Sequence, residues 1–213
     1  MGVSRRTVVT GLAGIIAVPG VAAAESLAPT PQETLGPYFP VRTPAQHNFD
    51  LTRLAGRTAR AAGQIVELSG RVLRVDGSTI PKAKIEVWQA NAAGRYTNPV
   101  DRNPAPLDPN FKGVAVLYSA ADGAYRIRTV KPGPYPDPFG GLRAPHIHFK
   151  VTAGDYLLAT QMYFPGEALN ETDLLMSTMS GRHRDPKNVT SHQVEASEPG
   201  VLRFEWNIVL LQV

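Results

Sequence analysis

The sequence predicts an all-β (mainly β) protein, a β-sandwich with long loops and an N-terminal arm, and three observations carry that prediction. Nineteen glycines and nineteen prolines among 213 residues disfavour helices and suit short strands joined by turns. Several short segments alternate apolar and polar residues with a period of two, the pattern of strands with one buried face. Turn dipeptides stand between those segments. Hydrophobic residues at 43% against 19% charged describe a globular chain, and its length fills one domain rather than two.

The elements follow in order. Residues 1–24 read as a targeting leader. Ser4-Arg5-Arg6 precedes a mildly apolar run over 8–21, and Ala22-Ala23-Ala24 stands before Glu25, so a charged start leads to a small-residue cleavage site near Ala24. The run is too short, and too rich in glycine and alanine, for a membrane span, so no stable span is expected after cleavage. The paired arginines resemble the twin-arginine type that exports folded proteins, and an exported, periplasmic or secreted protein is expected. An ordinary secretory signal with two chance arginines is the alternative. Residues 25–65, with Thr30-Pro31 and Gly36-Pro37, read as an extended arm and loops. A short helix is read over 51–62, against Gly56.

Residues 66–213 are expected to form the β-sandwich domain. Gly70-Arg71-Val72-Leu73-Arg74-Val75 alternates into the turn Asp76-Gly77, a hairpin signal. Ile85 and Val87 alternate with Lys84 and Glu86. After the turn Asp122-Gly123, Tyr125, Ile127 and Thr129 alternate with Arg126 and Arg128, and Phe204, Trp206 and Ile208 alternate with Glu205 and Asn207. Such segments, spaced by turns, make a sandwich. The formal charge is +4 and falls to +2, 20 basic against 18 acidic residues, when Arg5 and Arg6 are set aside. With no basic cluster interleaved with aromatics, there is no case for nucleic acid. Cysteine is absent, which excludes disulfides, cysteine zinc sites and a thiolate nucleophile.

The strongest local feature is Arg143-Ala144-Pro145-His146-Ile147-His148-Phe149-Lys150-Val151. On a strand, His146 and His148 face one side together while Ile147 packs into the other. Two imidazoles on one face can bind a metal, although histidine is also an ordinary polar strand residue. Only His47, His183 and His192 remain as further histidines, so a zinc site would need His183 or His192 from a loop. Tyrosines are better placed. Tyr135 lies in Lys131-Pro132-Gly133-Pro134-Tyr135-Pro136, where three prolines stiffen the backbone, and Tyr96 follows Gly94-Arg95. A phenol is inert at neutral pH and a core tyrosine is the ordinary reading. A trivalent cation removes the phenol proton, and the hard phenolate oxygen suits iron(III) better than zinc(II) or iron(II).

Residues 68–164 resemble the catalytic domain of intradiol ring-cleavage dioxygenases, the family of protocatechuate 3,4-dioxygenase and catechol 1,2-dioxygenase. The matching pieces are Leu68-Ser69-Gly70-Arg71-Val72, Gly94-Arg95-Tyr96, Lys131 to Pro136, Arg143-x-x-His146-x-His148 and Thr160-Gln161-Met162-Tyr163-Phe164. The arm Thr30-Pro31-Gln32-Glu33-Thr34-Leu35-Gly36-Pro37-Tyr38 also resembles the N-terminal segment of the protocatechuate enzymes. The resemblance implies a prealbumin-like β-sandwich and one non-haem Fe(III) per site, with Tyr96 and His146 as equatorial ligands and Tyr135 and His148 as axial ones. It implies a small aromatic diol and O2 as partners, ring opening between the hydroxylated carbons to a muconate-type dicarboxylate, and room for a homo-oligomer. Tyr135 would also leave the metal and accept a substrate proton, Arg143 would stabilise charge on the substrate ring, and Gln161 would support the site as a hydrogen-bond partner. Gly36, Pro37 and Tyr38 would help roof the substrate pocket, from this chain or a neighbouring subunit.

Two departures bear on the substrate. Asp137 stands where protocatechuate enzymes usually carry an aromatic residue, and the stretch 136–143, with Gly140-Gly141, is shortened. The chain also lacks the longer helical N-terminal region of catechol enzymes. The alternatives are a non-catalytic exported prealbumin-like binding module, a zinc hydrolase built on the His-x-His pair, and a homologue that binds iron without turnover.

Overall fold

The structure is a computed structural model, and it describes residues 1–2, 26–42, 49–179 and 185–212. Residues 3–24 of the leader expected over 1–24, and His47 and His183, therefore lie outside the described residues.

Two sheets pack face to face. The first is built on β1 (Ile65–Arg74), whose length lets it pair with β4 (Ala124–Val130) on one side and with both β10 (Val201–Glu205) and β11 (Ile208–Leu210) on the other. The short strand β9 (His192–Val194) adds to β10. The second sheet runs β3 (Val114–Tyr118), β2 (Lys84–Trp88), β7 (His146–Ala153), β8 (Tyr156–Tyr163), all antiparallel. A separate two-residue ladder, β5 (Tyr135–Pro136) with β6 (Leu142–Arg143), falls between β4 and β7 in chain order. The only α-helix among the described residues is one turn, α1 (Leu174–Ser177). The all-β sandwich expected from the alternation is what forms.

The period of two explains the core. Val66, Leu68, Val72, Ile127 and Phe204 of the first sheet face Ile85, Val87, Ala115, Ile147, Phe149 and Val151 of the second, and all are buried. Arg126 is exposed and Arg128 is partly so, on the other face, where Arg128 bonds Glu67 and Glu198. Glu86, on the outer face of β2, is buried between Lys84 and Lys150 at 3.1 and 3.8 Å.

The hairpin read at Asp76-Gly77 is half right. The turn forms, with Gly77 N–H donating to Arg74 C=O and Arg74 N–H to Ser78 C=O, but the return is a single bridge, Leu73 to Thr79. The next strand, β2, crosses to the other sheet. The helix read over 51–62 is absent. Leu51 N–H donates to Arg128 C=O and Ala61 N–H to Thr52 C=O, and Thr52 is held by the Asp50 carboxylate. Leu51 and Thr52 are fully buried, and Gly56 has φ +78°. Burial against β4 satisfies this backbone better than a marginal helix would.

The arm lies along the sandwich edge. Leu27, Thr30 and Glu33 donate their N–H groups to Val75, Val209 and Ala159, and Thr160 Oγ1 bonds Pro31 C=O. This docking carries Gly36 and Tyr38 to one end of the second sheet.

Candidate metal centre

His146 and His148 lie at the start of β7, and the strand period turns both rings to one face while Ile147 enters the core fully buried. Each histidine is only 2% exposed. Register pairs His148 with Trp88 on one side and Gln161 on the other, and His146 with Tyr163. The Trp88 ring stacks on His148 at 4.8 Å and 10°. His146 Nδ1 lies 2.6 Å from Ala144 C=O. A carbonyl only accepts, so this nitrogen carries the proton and Nε2 presents a lone pair.

The tyrosines arrive from loops. Tyr96 follows β2, its N–H held by Asp101 Oδ2 at 2.8 Å. Tyr135 opens β5, registered against Arg143. The two loops touch backbone to backbone. Gly133 N–H donates to Asn91 C=O, and a Cβ on Gly133 would come within 2.5 Å of Ala92 O, one on Gly94 within 2.2 Å of Pro134 O. Only glycine admits that approach.

Four donor atoms thereby converge. Tyr135 Oη is 3.2 Å from His146 Nε2, His146 Nε2 is 3.1 Å from His148 Nε2, and His148 Nε2 is 3.0 Å from Tyr96 Oη. Donors each about 2.0–2.2 Å from a shared ion stand roughly 3.0–3.5 Å apart. The donor set fits a cation in a second respect. Without one, burial pushes the Tyr96 phenol well above its ordinary value, with Tyr135 adding to the rise, and burial pushes Tyr135 up too, against the pull of Arg143. Burial, with Arg143 beside them, holds His146 and His148 well below the ordinary imidazole value. The imidazoles are thus neutral ligands already, and the phenols need a strong positive charge to ionise. His148 Nδ1 is buried with no hydrogen-bond partner among the described residues. No group of three or more His, Cys, Asp or Glu residues that could hold a metal occurs among them either. The zinc reading therefore finds no third ligand there. His192 is exposed on β9.

Arg143 borders the quartet, 8% exposed. Its Nε donates to Asp173 Oδ2 at 2.8 Å, its Nη2 to Gln161 Oε1 at 2.7 Å and Tyr163 Oη at 3.0 Å, and its Nη1 lies 3.5 Å from Tyr135 Oη. Burial alone would weaken the charge, but Tyr163, Tyr135 and Asp173 more than reverse that and the guanidinium stays cationic. Gln161 is fully buried, and its Nε2 reaches Thr34 C=O at 3.4 Å. Tyr163 Oη donates to Glu33 Oε2 at 3.2 Å. Sequence reasoning gave Trp88, Tyr163, Asp173 and Glu33 no role at the site. Register opposite His146 and His148 could have found Trp88 and Tyr163, but nothing local marked Asp173.

The roof residues divide. The chain's own arm brings Gly36 so close that a Cβ there would sit 3.3 Å from His148 Cε1, and Tyr38 packs on Tyr96 and Tyr135 at 4.5 and 6.0 Å between ring centroids. Pro37, between them, is exposed. A cleft of about 290 Å³ opens beside Tyr38, Trp88 and Tyr96. Asp137 does not turn to the quartet. Its carboxylate accepts the N–H groups of Phe139 and Gly141 at 2.7 and 2.9 Å, inside its own turn.

This chain is similar to several known proteins. The profile of the family described as Dioxygenase matches residues 34–212. The protocatechuate 3,4-dioxygenase beta chain of Burkholderia cepacia is 40% identical over 169 residues, 76% of this chain and 71% of that one. Hydroxyquinol 1,2-dioxygenase of Nocardioides simplex is 35% identical over 127 residues, 53% of this chain but only 41% of that one. Among solved structures, the dioxygenase domain of a dioxygenase carbohydrate-binding protein fusion from Streptomyces sp. SirexAA-E superposes with a TM-score of 0.65 at 28% identity, over 87% of this chain and 99% of that chain. With a family profile spanning nearly all of the sandwich and its arm, and a relative matched over most of its length, this chain belongs to the dioxygenase family and is an intradiol ring-cleaving oxidoreductase.

Proposed function

We propose that this chain is a non-haem iron(III) dioxygenase that cleaves a catechol-type ring between its two hydroxylated carbons with O2, giving a muconate-type dicarboxylate, with Tyr96, Tyr135, His146 and His148 as the iron ligands. The observation that carries this is the convergence of two buried phenol oxygens and two neutral imidazole nitrogens, joined in the order Tyr135, His146, His148, Tyr96 by successive contacts of 3.2, 3.1 and 3.0 Å. When bound, iron(III) would supply Lewis-acid chemistry, drawing charge from a catecholate and opening its ring to O2. The chain's own residues do the rest. Tyr135 is the ligand best placed to change partners, because Arg143 Nη1 stands 3.5 Å from its oxygen. A phenolate held there can take the proton of a substrate hydroxyl. Arg143, anchored at Nε and Nη2, favours negative charge on a ring bound next to Tyr135. Gln161 holds Nη2 of the guanidinium, Gly36 lies against the His148 ring, and Tyr38 covers the two phenols. An assembly of more than one chain belongs to this reading, since the Burkholderia cepacia relative is named as the beta chain of its enzyme.

The test is oxygen consumption with a panel of catechols, catechol itself, protocatechuate and hydroxyquinol included, on protein whose metal content has been measured. Stoichiometric uptake with loss of the catechol and a red-to-purple colour from ferric phenolate is the expected result. Full iron without colour would remove the tyrosines from the site, and activity with zinc at full occupancy would remove iron. The prealbumin-like binding module explains the fold but gives no reason to bury four donors together. Export through the leader 1–24 is part of the same proposal. Cell fractionation of the Arg5→Lys, Arg6→Lys double variant tests it, and an unchanged distribution would count against a twin-arginine route.

A further inference from the structure

We propose that Asp173 is a positioning residue for ring cleavage, one carboxylate that fixes the Arg143 guanidinium and the His146 imidazole together; the inference rests on the ring-cleavage reading above. Asp173 is fully buried, thirty residues beyond Arg143 in sequence, at the start of α1. Its Oδ1 accepts the N–H groups of Leu175 and Met176 at 2.9 and 3.2 Å. Its Oδ2 accepts Arg143 Nε at 2.8 Å and Ala144 N at 2.8 Å. The first pair is an ordinary helix cap. The second pair reaches into the site by two routes.

Along one route, the bond to Nε, with Gln161 and Tyr163 on Nη2, leaves Nη1 as the part of the fork that faces Tyr135. Without the Nε anchor, the fork can swing and the charge leaves the place where a catecholate needs it. Along the other, holding Ala144 N fixes the residue whose carbonyl receives the Nδ1 proton of His146 at 2.6 Å. That bond sets which nitrogen presents a lone pair to the quartet. A carboxylate is required because all four of its partners are donors. An asparagine offers one accepting oxygen and an NH2 group, so one pair must face donor to donor.

The experiment compares wild type with Asp173→Asn, which keeps the shape, and Asp173→Ser, which keeps a capping oxygen for α1 but is too short for Arg143. Three quantities are read: kcat and KM with a catechol, iron retained against a chelator, and the ring 15N shifts of His146 in metal-free protein. We expect both variants to melt cooperatively, with kcat down about 10–100-fold and KM changed far less, and with iron lost at about 10–100-fold lower chelator concentration. In metal-free protein the fixed Nδ1–H form of His146 should give way to a mixture of tautomers. Variants that melt lower but keep wild-type kcat, iron retention and tautomer would reduce Asp173 to a helix cap and overturn the proposal. If wild type cleaves no catechol, the functional reading fails instead, and the tautomer and iron retention still decide the role of Asp173.

Discussion

The two histidines and the two tyrosines reach the same point from opposite kinds of scaffold. His146 and His148 ride on β7, a strand paired on both sides, and two-residue periodicity alone aligns them. Tyr96 and Tyr135 ride on loops, and their alignment depends on contacts between those loops: Gly133 against Asn91, Gly94 against Pro134, Asp101 on the Tyr96 amide. The sheet makes the imidazole half rigid at no cost beyond its own pairing. The phenol half is held by a few specific contacts, and it contains Tyr135, the residue that the proposed chemistry asks to move. On the proposed function, that division places rigidity where a metal would stay and adjustability where a substrate would enter.

The comparison can be broken most severely at the strand. His148→Ala removes a donor from the half that has no freedom to compensate, and leaves Trp88 without its stacked partner. Iron should be lost and kcat should fall by about 10³-fold or more, beyond the range typical of changes outside the ligand set. Oxygen uptake and metal analysis check it, and unchanged uptake would refute the assignment. Next in size is a loop change that touches no ligand atom. In Gly94→Ala the new Cβ falls 2.2 Å from Pro134 O at a residue with φ +82°, which costs about 1–3 kcal/mol in strain. Moving Tyr135 relative to Tyr96 by on the order of 1 Å should cost about 10²-fold in kcat. The matched strand change, Ile147→Val, should cost about 0.5–1.5 kcal/mol in the melt and leave kcat alone. Equal catalytic losses in the two variants would erase the proposed difference between the halves.

Acidity sharpens the comparison without mutation. In metal-free protein, burial depresses both histidines below the ordinary value of 6.5 and raises both tyrosines above 10.0. A depressed histidine means that the unfolded chain binds more protons below pH 6.5, so stability is full above that value and falls as acid is added. A raised tyrosine means the reverse on the alkaline side, with stability full below pH 10 and lost above it. Metal-free protein should therefore be most stable between about 6.5 and 10, with an acid slope of up to about 1.4 kcal/mol per pH unit for each histidine. Urea melts across pH measure it. A metal-free stability that is flat from pH 7 to 5 would mean that the imidazoles are not held neutral.

How much of this was legible in the sequence follows the same division. Strand-borne features were readable, because a period of two states which side chains share a face: the core positions, His146 with His148, and Ile147 opposite them. Tyr96 and Tyr135 could be placed beside them only through the resemblance, since no periodicity governs a loop. The partners of Arg143 were least legible. Asp173 and Glu33 reach it, directly or through Tyr163, from distant segments, and a buried carboxylate thirty residues away has no local signature. The same logic explains the failed helix over 51–62. Its local pattern was marginal, and hydrogen bonds to Arg128 and the burial of Leu51 and Thr52 outweighed it.

Asp137 yields the smallest expected effect and the finest test of the loop half. By its position two after Tyr135 it reads as a residue of the substrate wall, replacing an aromatic. In the structure its carboxylate is engaged by the amides of Phe139 and Gly141, and its own N–H donates to Gly141 C=O at 3.0 Å. It closes the turn between β5 and β6, the two strands that deliver Tyr135 and Arg143. Its effect on the substrate is then indirect, through the shape of that hairpin. Asp137→Ala should cost about 1 kcal/mol, as the loss of a capping carboxylate does, and Asp137→Asn, which keeps an accepting oxygen, should cost less. The ratios of kcat/KM across the catechol panel should stay within about twofold in both variants. A tenfold change in those ratios would put the carboxylate against the substrate. It would also mean that the loop half reads the ring directly as well as holding its ligand.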